Sequence, residues 1–379
     1  ITCLFSGRLP ASLRNRGTIA MLTFTTWLLI CVPFSVWPGG SVTKFRTEWI
    51  FSVGVFLIVA AGAASIKNLF DYAGAIAWAT IFVNFVLVRY GKEQNLRGTL
   101  EFEGSLSNPN YAALYLLLGL PFLIFWVRTR GPITARGLIG LANAGLLAVL
   151  IVTRTGSRSG LLSLMVLTLL LLAGTKFHVW TSLLICLTLG AALMVPFIPN
   201  YLIYRYGTLL NSSEVHGGEA ENSTNARKEV LNESLGLTLK HPVVGVGPGQ
   251  FRVAAAAQSK DEGVRALWLE THNTYTQISS ETGIVGLLLY LSMIFFSLVP
   301  VWKDLRLARR TGNRLPQHEY ARALLICSAG LLTNCIFTSV AYQYYWPLLC
   351  GLGVAYQRVT NTRTTTATPF RLMRTPAVS

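Results

Sequence analysis

An all-α, polytopic membrane fold is predicted by three features of this 379-residue chain. Its residues are 52% hydrophobic, only 13% are charged, and the apolar residues gather in long runs. A soluble domain carries roughly a quarter charged residues. A helix crossing the hydrocarbon core needs about 20 apolar ones. Lipid offers no partner to open backbone groups, so the spans are read as helices.

About ten spans follow in order: Thr18–Trp37, Glu48–Ala64, Leu69–Val88, Asn108–Val127, Ala135–Thr153, Ser159–Gly174, His178–Ile198, Gly283–Trp302, Tyr320–Val340 and Tyr342–Gln357. The chain divides accordingly. Residues 1–198 hold the first seven membrane helices, 199–282 one long polar loop, and 283–357 the last three helices. The tail 358–379 is Thr-rich and basic, a composition that reads as disordered. The six cysteines show no C-x-x-C spacing, and five lie in apolar runs, so neither a disulfide framework nor a zinc site is expected.

Charge orients the spans. With the N-terminus on the cytoplasmic side, that side collects Arg8, Arg14, Arg16, Lys67, Arg128, Arg130, Arg136, Lys176, the cluster from Lys303 to Arg322 and the tail arginines. Only Asp71, Asp304 and Glu319 of the 16 acidic residues join them. The positive-inside rule then places the loop 199–282 outside. The net charge of +16 is therefore a topology signal, and no nucleic-acid partner is inferred from it.

Four polar clusters face outward in this topology. Asn108-Pro109-Asn110-Tyr111 opens a span with helix-starting residues. Thr153–Gly160, TRTGSRSG, puts Arg154 and Arg158 in a short hairpin at the membrane edge. One arginine there is explained by snorkelling; two in a Gly/Ser hairpin suit an anionic partner. In the long loop, Asn222–Asn225 supplies N-cap residues for a helix carrying ARKEVLNESLGLTLK and stopping near His241-Pro242. Val230, Leu231, Leu235, Leu237 and Leu239 form its apolar side, and Arg227 falls in its first turn, against the helix dipole. The glycines of Val243–Phe251, VVGVGPGQF, let backbone N–H groups meet an anion or simply turn the chain. Last comes Thr271-His272-Asn273-Thr274-Tyr275, just ahead of the span at Gly283. With Thr271 as cap, His272 sits in the first turn, where the positive helix end favours neutral imidazole. Neutral imidazole can take a proton near pH 7. Asn273 and Tyr275 offer neutral groups suited to sugar hydroxyls.

Taken together these pieces resemble the O-antigen ligase and O-antigen polymerase family. The resemblance covers roughly Gly104 to Leu291: S-N-P-N-Y, S-R-S-G, A-R-K-E-V, H-P-V-V-G-V-G-P-G-Q-F, H-N-T-Y and E-T-G-I-V-G-L, in that order. It implies about twelve spans, two of them upstream of Ile1. It implies a metal-independent glycosyltransferase of the bacterial inner membrane with its long loop in the periplasm. Such enzymes take a glycan from an undecaprenyl-pyrophosphate carrier and pass it to an acceptor hydroxyl on lipid A core, another glycan or a protein. Carried over residue by residue, the catalytic group is His272, Arg227 and Arg158, with Arg154, Asn273 and Tyr275 as substrate-binding candidates. No D-x-D and no cluster of outer carboxylates appears, so no metal or cofactor is expected. A lipid or solute transporter is the competing class; it calls for charges near the membrane midplane, which are scarce here.

Overall fold

A computed structural model describes residues 8–94, 97–100, 109–130, 139–140, 142–146, 157–173, 219–261, 263, 268–313 and 315–366. Eleven helices are named here among them: α1 Arg8–Leu13, α2 Arg16–Cys31, α3 Pro38–Gly62, α4 Ile66–Tyr90, α5 Pro109–Arg130, α6 Arg158–Leu172, α7 Glu219–Lys240, α8 Phe251–Asp261, α9 Thr274–Thr311, α10 Pro316–Asn334 and α11 Tyr345–Thr366. The α3 helix carries a π-helical segment, Phe45–Trp49.

Among the described residues, five helices are long and apolar enough to cross a membrane: α2 extended to Phe34, α3, α4, α5 and α9; α6 is a shorter apolar helix. Of the ten expected spans, eight coincide with described helices. The fifth is described only at 139–140 and 142–146, both helical, and the seventh lies outside the described residues.

Two expectations need correction, the end of the ninth span and the tail. Between α4 and α5 the chain pairs Gly91–Gln94 with Arg97–Leu100 as an antiparallel hairpin, β1 and β2. Polar residues and glycine dominate there, which suits a turn better than a helix. The ninth span stops at Asn334 rather than Val340; residues 335–344 form turns instead. The tail expected to be disordered from 358 continues α11 as far as Thr366. From Arg358 onward no proline occurs before Pro369, and Thr and Asn only weakly disfavour a helix.

The helices pack as α2 on α9, α3 on α11, α5 on α4 and α10, and α6 on α10, with α7 lying on α9. Aromatic rings fill the centre. Phe24 meets Trp49 edge-on at 5.1 Å and Tyr290 at 5.3 Å, and Tyr320 stacks on Tyr356 at 6.1 Å. Such pairs add about 0.5–1.5 kcal/mol each beyond burial. That matters in lipid, where apolar burial alone does not drive helix association and small residues permit close packing. A Cβ on Gly353 of α11 would lie 2.4 Å from the Ser297 carbonyl of α9. The outer surface is inverted relative to a soluble protein: Phe51, Ile58, Phe82 and Leu288 are all more than 60% exposed. The chain is a multi-pass membrane protein.

Candidate functional site

The site is organised by a break in α9. Gly283 has φ 75° and ψ 177°, and divides α9 into a short first section and a long membrane section. This conformation is accessible essentially to glycine alone. The loop after α7 docks at the break. Ile284 N–H donates to the Pro242 carbonyl at 2.8 Å. Val246 N–H donates to the Ser280 carbonyl and Gly247 N–H to the Glu281 carbonyl, each at 2.9 Å.

Glu281 is the acidic group that this glycine loop meets, and burial pushes its pKa up to about 7 against the lowering effect of its hydrogen bonds. Its carboxylate is buried and accepts from Gly249 N–H at 2.8 Å, Phe251 N–H at 3.3 Å and the Tyr342 hydroxyl at 2.6 Å. The backbone donors at Gly249 and Phe251 serve an internal carboxylate. A cavity of about 30 Å³ beside it, lined by Lys44, Arg252, Glu270 and Glu281 among others, has room for about one water.

The first section of α9 is capped by Asn273, not by Thr271. Asn273 Oδ1 accepts from Tyr275 N–H at 2.9 Å and Thr276 N–H at 3.2 Å. Thr271 is instead held sideways, hydroxyl to hydroxyl, on Ser339 at 2.9 Å. His272 therefore lies ahead of the helix rather than in its first turn, with φ at 50°. For a non-glycine residue this left-handed conformation costs about 1–2 kcal/mol. The segment is stitched to the turn after α10: Thr274 N–H donates to the Cys335 carbonyl at 2.8 Å, and Thr274 Oγ1 to the Thr338 carbonyl at 2.6 Å.

His272 forms part of the wall of a cavity of about 270 Å³ whose other lining includes Asn110, Tyr111, Arg252, Trp268 and Glu270. Arg252 pairs with Glu270 at 2.7 Å. The Tyr111 hydroxyl donates to the Ser339 carbonyl at 3.0 Å. Burial depresses the His272 pKa below 6.5, and the nearby Arg227 guanidinium lowers it further against the opposing pull of Glu270.

The expected site residues fall as follows. His272 and Arg227 come within electrostatic reach of one another. Arg227 lies in the third turn of α7, because the helix begins at Glu219 and runs through the expected cap residues 222–225. The dipole argument for it therefore lapses. The face of α7 also differs from expectation. Val230, Ser234, Leu237 and Thr238 are buried, and Thr238 meets Ser279 at 2.9 Å, whereas Leu235 and Leu239 are exposed. Arg158 is the first residue of α6, behind the cap Ser157, whose hydroxyl donates to Asn110 Oδ1 at 2.8 Å. Asn110 is itself part of the His272 cavity wall. Arg154 lies outside the described residues. Asn273 is engaged as a cap, and the Tyr275 hydroxyl donates to the Leu332 carbonyl at 3.0 Å.

Sequence reasoning missed Arg252, Glu270 and Ser339. Glu270 stands two residues before His272, but nothing local marks its pairing with Arg252, 18 residues away. Ser339 was hidden inside an expected span.

Residues 143–291 match the family model described as O-antigen ligase, a stretch containing Arg158, Arg227, the glycine loop, His272 and the break at Gly283. The fold is similar to that of a chain in a structure concerning polymerization and crosslinking by a peptidoglycan synthase complex. The TM-score is 0.50 and the identity 14%, over 91% of this chain and 97% of that one. At this identity the likeness concerns the fold alone. No curated protein matches the chain. The matched stretch spans the cap of α6, both halves of the long loop and the entry into α9, and over it this chain is similar to the O-antigen ligase family.

Proposed function

We propose that the chain is a glycosyltransferase that moves a glycan from an undecaprenyl-pyrophosphate carrier to an acceptor hydroxyl at the periplasmic face of a bacterial inner membrane. The observation that carries the reading is the cavity holding a half-buried imidazole, with a guanidinium close enough to lower its pKa. A base kept neutral beside fixed positive charge suits a reaction whose leaving group is a diphosphate.

In the proposed reaction the acceptor hydroxyl gives its proton to His272 while its oxygen forms a bond to the anomeric carbon. The bond from that carbon to the pyrophosphate oxygen breaks, and undecaprenyl pyrophosphate departs with the electron pair. Arg227 and Arg158 neutralise the charge that develops on it. Guanidinium binds phosphate bidentately and stays ionised. One such contact, already in place, contributes about 3–4 kcal/mol. The acceptor is a hydroxyl of lipid A core, of another glycan or of a protein. Arg154, Asn273 and Tyr275 are proposed to contact the sugar or the diphosphate.

The test is transfer by purified protein from lipid-linked glycan to acceptor, in detergent, without any ion gradient. Product is expected. A requirement for sealed vesicles and a gradient would favour a transporter instead.

The electrostatic part has its own readout. In histidine-labelled protein, the His272 resonance, assigned by comparison with His272→Gln, is expected to titrate below 6.5. Arg227→Gln removes one depressing charge, so the midpoint rises. An unmoved midpoint would show that the Arg227 charge does not reach the imidazole. The linkage sign is that of a depressed group: transfer and stability are full above 6.5 and decline as the pH falls through the folded-state value.

A further inference from the structure

At the end of α9 remote from His272, a second set of cations borders an apolar groove. From Ile284, just past the break, to Arg306 the helix rises about 33 Å at 1.5 Å per residue, enough to cross the roughly 30 Å hydrocarbon core, so the two regions lie on opposite membrane faces. Here α6 and α9 both pack on α10, and the groove opens between them. It comprises two adjoining cavities of about 530 Å³ each, which share Ala173, Leu305, Arg309 and Arg322. Leu170, Trp302, Leu305, Leu325, Ile326 and Ala329 make its floor and walls apolar.

The cations are placed at its mouth. Arg306 stacks over the Trp302 ring at 5.1 Å. Arg322 Nη2 donates to the last carbonyls of α6, Leu171 at 2.7 Å and Ala173 at 3.1 Å. The nearby acids are already engaged: Glu319 pairs with Arg128 at 3.2 Å, and Asp304 with His318 at 3.4 Å and with the Tyr356 hydroxyl. Among the described residues, neither Arg306 nor Arg309 has a carboxylate within ion-pair distance.

We propose that this groove binds an acidic phospholipid of the surrounding bilayer. Its phosphate lies between Arg306, Arg309 and Arg322, and an acyl chain runs along α10 between Leu325 and Ala329. Depth supports this occupant. From Pro316 to Ala329 α10 descends about 20 Å, slightly more than the roughly 15 Å of one hydrocarbon leaflet. Charge supports it too: basic pockets between membrane helices hold acidic headgroups, and arginine matches phosphate in shape. A soluble anion would use the arginines but leave the apolar floor uncovered.

Thermal unfolding of the full chain in neutral detergent, with phosphatidylglycerol or phosphatidylcholine added, tests the site. Phosphatidylglycerol is expected to raise the Tm by several degrees and phosphatidylcholine not to. High salt and the double change Arg306→Gln/Arg309→Gln should each remove at least half of the rise. Arg310→Gln, outside the groove, should retain it. Native mass spectrometry should find fewer co-purified acidic lipids on the double variant, which covers the case in which its unfolding is otherwise altered. Equal protection by phosphatidylcholine, equal protection by inorganic phosphate, or an undiminished response in the double variant would each overturn the proposal.

Discussion

His272→Ala is expected to bring glycan transfer down to background while the protein still folds. Losing a positioned proton acceptor typically costs about 10²- to 10⁴-fold. Arg227→Ala should act comparably, since one preorganised contact to a developing oxyanion is worth about 10²- to 10³-fold. The backbone supplies a control that separates chemistry from folding. His272 sits at φ 50°, and alanine there keeps the left-handed penalty of about 1–2 kcal/mol. Glycine loses that penalty but gives back about 0.5–1 kcal/mol of chain entropy. His272→Gly should therefore melt at or above the temperature of His272→Ala and be equally inactive. Wild-type transfer by either variant would remove His272 from the chemistry. A lower melting point for the glycine variant would dismiss the strain.

Gly283→Ala should do the reverse, destroying the fold rather than the reaction step. Its Cβ would lie 1.9 Å from the Val243 carbonyl oxygen and 2.7 Å from that of Pro242. Both are backbone atoms and cannot rotate away. The φ of 75° with ψ of 177° adds strain of about 1–3 kcal/mol, and overpacking typically adds about 1–3 kcal/mol more. The docking bond from Ile284 N–H to the Pro242 carbonyl would go with it. Loss of the monodisperse peak on size exclusion and a collapsed melting transition are the expected results. A variant that elutes and melts like wild type would mean that the loop is not anchored at the α9 break. Glu281→Ala should destabilise for a related reason, leaving the Gly249 and Phe251 donors without their acceptor at about 1–3 kcal/mol each.

These two residues mark the limits of sequence reading. The apolar run after Gly283 is legible as a membrane helix because helix length and lipid thickness are matched by simple physics. The polar motif before it is legible as unusual, since a histidine and cap residues stand against a span. Which of them caps was not legible. Asn273 and Thr271 are both good caps, and the choice was made by Ser339, 68 residues away, which takes the Thr271 hydroxyl. The glycine loop shows the same limit. Its spacing announces donors for an acceptor group, but that the acceptor is the Glu281 carboxyl depends on a packed turn, not on local pattern.

Along the chain alone, then, the class of fold, most of the described helices and the identity of the unusual residues were already determined, because each rests on short-range periodicity, composition and the bilayer's demand for satisfied backbone. Tertiary structure decided which of those residues share a wall. Arg227 reaches His272 only because α7 lies on α9. Arg252 and Glu270 meet, and Ser157 finds Asn110, through contacts that cross helices. Such distances depend on how several helices pack at once, and a linear pattern does not contain them.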